Sequence, residues 1–344
     1  MKIKFFTIVI IFSGSIFLLS LLESWMYKPI SPDKAVIEQS VGKSILLLQR
    51  SGFTFTKNNT SKCASCHNNT LTAMSTELAI QKGIPVIDSL SAGNSIAMKN
   101  TLIATCNPNI IDGEFLQIGF ATPYLLLGMY AAKYPPDMNT DISVDYVMSL
   151  AKQDGSFMAE SGRVPLETGD IHLTAMAIRS IELYASPAKK KHVAELVKKT
   201  RQWLERVQTN QQQELAFQLL GMQWCGSDKS HKRKVAEKLK SMQNEDGGWP
   251  QLPTLSSDAY ATGQTLYALY ESGMEKTKDA VYQRGLNYLL KTQDEQGAWF
   301  IATRSFPIQP FVNSEFPPYD DNQFISAAGT NWAVMALLNA LPDK

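Results

Sequence analysis

Cys63-Ala64-Ser65-Cys66-His67 concentrates more chemistry than any other stretch of the chain. Two thiols three positions apart, followed by an imidazole, match the pattern for covalent attachment of haem c. The thiols add to the two vinyl groups, and His67 reaches the iron as the metal ligand from one face. Met74 follows His67 by two helical turns on the same side and does not easily cross to the opposite haem face, which leaves Met98, Met129, Met158 and His172 as remote candidates without support. Two other chemistries compete for the same residues. Cys63 and Cys66 could pair as a local disulfide in an oxidising compartment or stay as thiols. With His67 and a fourth ligand such as Cys106 they could hold zinc. Cys106 and Cys225 lie far apart in sequence, and pairing or burial stays open for them.

A second constellation is Asp170, His172, Asp258 and Tyr260, each near the start of an apolar helical stretch. A carboxylate beside an imidazole can move a proton to or from a bound molecule. The plainer readings are a core histidine with its partners satisfied, and a first-turn aspartate favoured by the helix dipole. The chain contains no Gly-rich phosphate loop, no nucleophile elbow and no His-Glu-x-x-His segment.

Haem attachment requires export, and the N-terminus is built for it. Lys2 and Lys4 precede Phe5–Leu22, 18 residues without a charge, and Glu23 ends the run. Residues 1–22 therefore read as a signal peptide or as an uncleaved signal anchor, since ~17–25 apolar residues suffice to span a bilayer. Either way the body is expected outside the cytoplasm, periplasmic or extracytoplasmic, with a membrane tether through residues 5–22 if the signal stays. Residues 23–34, with Pro29, Pro32 and Asp33, read as a linker.

The elements that must position these groups are helices. The 344 residues are 44% hydrophobic and 19% charged, which describes a globular chain with ample core. A net charge of +1 argues against a nucleic-acid partner, which normally meets a basic stripe. Ile37, Val41, Ile45 and Leu48 fall on one helix face, and period-two alternation is almost absent. The lysine-rich stretches 189–201 and 228–240 carry apolar residues at core spacing, so they read as solvated helix faces. Ser257 is placed to cap a helix over 258–272, with Gly273 as its stop.

Self-comparison organises these helices. A helix, a Gln, a Gly-containing turn, an aromatic and a second helix recur at Gln153–Phe157, Gln243–Trp249 and Gln293–Phe300. A weaker first copy runs from Gln49 through Gly52-Phe53 to Leu71-Thr72-Ala73-Met74, whose four letters repeat at 173–176. First helices of the pairs are polar on one side, whereas second helices are small or apolar nearly all round. That contrast predicts an outer and an inner layer, hence a ring of helix hairpins.

The Gln-x-x-x-Gly-x-Trp turns at 243–249 and 293–299 resemble the repeat of the squalene–hopene cyclase and protein prenyltransferase superfamily, across roughly residues 36–341. The resemblance implies an all-α fold, an α/α barrel or toroid over 35–344. In it Gln243, Trp249, Gln293 and Trp299 brace neighbouring helices. The chemistry of that superfamily does not come with it. The cyclases' Asp-x-Asp-Asp acid motif is missing, and Asp320-Asp321 falls in a loop without the third carboxylate. The prenyltransferase zinc set is not recognisable around Cys225 and His231, and the length covers one barrel where a hopene cyclase has two helical domains.

Two functions follow as expectations. The first is an exported barrel carrying haem c at Cys63, Cys66 and His67, with a redox or sensing role and a redox partner protein. The second is a cyclase-like enzyme or binding protein for an isoprenoid-like or glycan-like ligand in the barrel, with structural cysteines. For the second, Asp170, His172, Asp258 and Tyr260 are the weak catalytic candidates.

Overall fold

The computed structural model describes residues 31–106, 118–159, 162–306 and 312–343. The signal segment and most of the linker lie outside them. Among the described residues no helix is long and apolar enough to cross a membrane.

The first helix shows why the chain folds as it does. In α1 (Lys34–Asn58) Asp33 caps the start by accepting the amide of Ala35. Ile37, Val41, Ile45 and Leu48 are all buried, as their spacing predicts. Because the helix runs on to Asn58, Gly52 lies inside it and is not a turn, which corrects the expected first repeat. Its lack of a side chain serves packing, since a Cβ there would sit 2.5 Å from the carbonyl oxygen of Asn68.

Eleven further α-helices follow among the described residues: α2 Leu71–Lys82, α3 Asp88–Thr105, α4 Ile118–Ala131, α5 Met138–Ser149 and α6 Asp170–Tyr184. Then come α7 Lys190–Arg206, α8 Gln212–Trp224, α9 Lys229–Lys240, α10 Ala259–Glu271, α11 Ala280–Thr292 and α12 Gln323–Leu338. A π-helical turn, Cys66–Thr70, leads directly into α2. The one sheet among these residues pairs β1 (Trp249–Pro250) with β2 (Ser257–Asp258), antiparallel.

Even-numbered helices form the inner layer and odd-numbered ones the outer layer. Every residue of α12 is buried, while the lysine-rich α9 buries only Val235, Ala236 and Leu239. Each inner helix packs on the next, and α12 returns to α2, so the inner ring is closed. The chain is an α/α toroid.

The repeat turns are the ring's fasteners. Trp249 and Trp299 each donate their indole N–H at 2.8 Å to a carbonyl of the preceding outer helix, Leu239 and Leu289. Their amides donate to Thr262 and Thr330 on the following inner helices. Gln243 reaches Val281 on α11, and Gln293 reaches Ser40 and Ser44 on α1. Gly297, at φ 93°, presses against Lys43 and Ser44, and the Ser44 hydroxyl donates to its carbonyl at 2.5 Å. The last turn therefore docks on the first helix, which closes the outer layer. One boundary differs from the sequence expectation: the cap of α10 is Asp258, whose carboxylate accepts the Ala261 amide at 2.8 Å. Ser257 bonds to Asn244 and Asp246 in the repeat turn instead.

Candidate functional site

The toroid's polar side chains converge at the end where the inner helices begin. His172, on the first turn of α6, is fully buried. Its Nδ1 lies 3.1 Å from the Thr168 carbonyl, and its Nε2 lies 2.9 Å from the Tyr124 hydroxyl on α4. A carbonyl only accepts, so Nδ1 carries the proton and the phenol donates to Nε2; this tautomer is assigned from the partners. Gln213 on α8 continues the network. Its amide nitrogen donates to Pro165 at 2.7 Å and Thr168 at 3.1 Å, while its oxygen accepts the Tyr260 hydroxyl at 2.8 Å. Three inner helices, α4, α6 and α10, thus present Tyr124, His172 and Tyr260 to one place through a fourth, α8.

Burial decides the charge of these groups. It pulls His172 down to about 3 and pushes both phenols up, so all three are neutral near pH 7. Beside them Arg163 forks onto Glu167, with Nε–Oε2 at 2.7 Å and the second bond at 2.8 Å. This bidentate pair keeps a formal charge at the barrel's end without leaving it unpaired.

Cys66 and His67 enter the same neighbourhood from the π-helical turn. Burial, with Glu167 adding to it, pushes the Cys66 thiol up to about 12. Burial and the Arg163 charge hold His67 at about 3. The His67 ring sits edge-on between Phe55 and Phe324, at 5.6 and 5.7 Å. Its carbonyl accepts from Asn331, which ties the turn to α12.

Below this polar layer an aromatic column crosses the interior. His172 stacks on Phe217 at 3.9 Å, Phe217 meets Trp332 at 5.9 Å, and Trp332 meets Tyr267 at 5.5 Å. Phe217 on α8 and Trp332 on α12 belong to inner helices separated by α10, so their contact passes in front of α10 on the ring's interior side.

The sequence candidates divide accordingly. His172 and Tyr260 are brought together on Gln213. Asp258 is close to Tyr260, but both of its oxygens are engaged, one by the Ala261 amide and one by Gln251 at 2.9 Å. Burial raises its carboxyl to about 6. Asp170 is exposed and holds the Ala159 amide at the rim, outside the network. Tyr124, Arg163, Glu167 and Gln213 were not identified from sequence. Tyr124 lies in an apolar helix that carries no motif, and the Arg163–Glu167 spacing is that of any helix-surface pair.

The two cysteines of the Cys-x-x-Cys-His segment differ in exposure. Cys66 is buried and feels the charges of Glu167 and Arg163, whereas half-exposed Cys63 contacts Ser61 and Thr101. His67 lies between two phenylalanines, so a group bound at its ring would have to share that space. None of the four cysteines is joined to another in a disulfide. Cys106, the expected fourth zinc ligand, lies instead against Asn139 and Ser143. Among the described residues no group of three or more His, Cys, Asp or Glu side chains is placed to hold a metal.

The fold has relatives among known structures. It is similar to the type II terpene cyclase MstE from Scytonema, with a TM-score of 0.59 at 12% identity over 90% of this chain and 99% of that one. A variant of that cyclase holding its substrate, geranylgeranyl dihydroxybenzoate, gives 0.57 at 12% identity over 89% and 99%. A protein from Actinoplanes gives 0.54 at 14% identity over 80% and 90%. At these identities the likeness establishes the architecture alone, an α/α toroid. No protein-family profile matches the chain, and no curated protein matches it by sequence.

Proposed function

We propose that the toroid binds a largely apolar, isoprenoid-like molecule at the end where the inner helices begin, without initiating cyclisation by protonation. The observation that carries this is the layering of the interior. A neutral hydrogen-bonding set, Tyr124, His172, Gln213 and Tyr260, lies above the column Phe217, Trp332 and Tyr267. Aromatic faces favour an unsaturated hydrocarbon body, and the phenols and the Arg163–Glu167 pair suit a single polar head. That the similar fold of MstE accommodates a geranylgeranyl substrate supports the choice of ligand class.

Protonation chemistry needs an uncommitted carboxylic acid. Four carboxylates near the network already have partners. Asp258 caps α10, Glu167 holds Arg163, and Asp170 takes the Ala159 amide. Glu214 takes the amides of Ile171 and His172.

The test is a titration with geranylgeraniol followed by tryptophan emission, because Trp332 sits in the column. Saturable binding that weakens at least tenfold in Phe217→Ala supports the reading. Absence of saturable binding, or preferential binding of a cello-oligosaccharide, overturns it.

A second reading, covalent haem c at Cys63, Cys66 and His67 on an exported chain, rests on the Cys-x-x-Cys-His spacing and the N-terminal segment. Expression in an exporting host with c-type maturation decides it. A Soret band with a matching mass increment supports it, and their absence removes it.

A further inference from the structure

Beside the polar network, the starts of α10 and α12 are bridged by Arg304. After the repeat turn at 293–299 the chain is laid on the start of α12. The Ile301 amide donates to the Ser326 hydroxyl at 3.0 Å, and the Thr303 amide to the Asn322 side chain at 2.8 Å. The next residue, Arg304, reaches toward α10. Its Nε donates to Gln251 Oε1 at 2.9 Å, and the Gln251 amide nitrogen donates at 2.9 Å to Asp258, the cap of α10. Gln251 is itself buried, so this relay holds the guanidinium in one place.

Among the described residues the charge held there has no direct counter-ion. Arg304 is half-buried, neither of its Nη nitrogens has an acceptor, and neither is sealed from solvent. Burial pulls it below the usual guanidinium value, with Tyr260 and Asp258 acting against that pull. Arg163, beside the same network, is already forked onto Glu167, and Asp258 spends its oxygens on Ala261 and Gln251. A charge that has lost part of its water is ordinarily paired. Because Nε is taken by Gln251, the free donors are the two Nη groups, which face one way in a fixed plane and match a carboxylate end-on. Charge balance narrows the choice of anion. One unpaired cation offsets one negative charge, whereas a phosphate dianion or a diphosphate would leave negative charge uncompensated near Asp258.

We propose that Arg304 is the specificity-determining residue of the interior site, and that the apolar ligand carries a carboxylate as its polar head, received by the two Nη groups. This rests on the reading of the toroid as a binder of an isoprenoid-like molecule and names that molecule's head. The tail then lies along Phe217, Trp332 and Tyr267, with the carboxylate at the end where α10 and α12 begin.

The test compares geranylgeraniol, geranylgeranoic acid and geranylgeranyl diphosphate on the full chain at pH 8, followed by tryptophan emission. That pH keeps Asp258, which burial raises to about 6, in its ionised form. The acid should bind at least tenfold tighter than the alcohol, and tighter than the diphosphate. Arg304→Gln should remove the acid's advantage and leave the alcohol's affinity within about twofold, which also reports a folded ring. Equal affinities for acid and alcohol, tighter binding of the diphosphate, or equal losses for acid and alcohol in Arg304→Gln would each overturn the proposal and leave the apolar site standing. Failure of all three probes to bind saturably would remove the site itself, and the proposal with it.

Discussion

Tyr124 donates its phenolic proton to Nε2 of His172 across 2.9 Å, and this bond joins α4 to α6 at the buried end of the ring. With Nδ1 committed to the Thr168 carbonyl, Tyr124 is the donor that satisfies the other ring nitrogen. Tyr124→Phe leaves that acceptor buried and unpaired. The expected cost is about 1–3 kcal/mol, read as a lower denaturant midpoint at constant m-value. An unchanged midpoint would show that the bond is not formed in solution.

The same histidine sets part of the acid response. Burial holds its folded value near 3, against 6.5 in the unfolded chain. As pH falls from about 6.5 toward 3 the unfolded state takes up a proton that the folded state refuses, so stability is lost through that window. Glu214 and Asp258, raised to about 7 and 6, act in the opposite sense and mask the effect in the intact protein. His172→Gln isolates it. The stability-versus-pH slope between pH 6 and 4 should fall by about 1.4 kcal/mol per pH unit relative to the parent. Parallel profiles would contradict a neutral, buried His172.

Gly169 and Glu214 form a second coupled pair. Gly169 has φ 98°, and a Cβ there would lie 1.8 Å from the Glu214 carboxylate, which takes the amides of Ile171 and His172. Gly169→Ala should cost well over 2 kcal/mol, combining backbone strain with displacement of the carboxylate. In a Glu214→Ala background only the backbone part, about 1–2 kcal/mol, should remain. A double-mutant cycle measures the difference, and a coupling energy near zero would count against the contact.

Ring closure is tested at the seam. Gln293→Ala removes the bonds to Ser40 and Ser44 that hold the last repeat turn on α1, and should destabilise by about 1–3 kcal/mol. Hydrogen exchange should accelerate in α1 and α11 more than in α6. Uniform acceleration would mean that the seam is no weaker than the rest of the ring.

The sequence displayed the ring far better than the site, for a physical reason. A repeat turn is compact in sequence: Gln243, Gly247 and Trp249 lie within seven residues, and Gln243 bonds to the Gly247 carbonyl, so their spacing survives as a pattern. Layer assignment was equally legible, because an inner helix such as α12 must be apolar on every side. The site is assembled across the ring from one residue per helix. Tyr124, His172, Gln213 and Tyr260 are separated by 41 to 48 residues, and no periodicity links them. Gly52 misled for a related reason. A glycine kept for close approach to the Asn68 carbonyl looks, in sequence, like a glycine kept for a turn.

Cysteine reactivity separates the two functional readings. Cys63 is half-exposed, Cys66 is buried, and burial raises both thiols, Cys66 to about 12. The thiolate is the reactive form, so iodoacetamide on the native protein should modify Cys63 before Cys66, and Cys66 only after unfolding. Cys225, also buried and raised to about 12, should behave like Cys66. Haem attachment predicts something different, because a thioether is not a thiol. Neither Cys63 nor Cys66 would then react even in denaturant, while Cys225 would. Peptide mapping of protein produced with and without c-type maturation reads both outcomes. Full labelling of Cys63 and Cys66 in unfolded, matured protein would leave the ligand-binding toroid as the surviving reading.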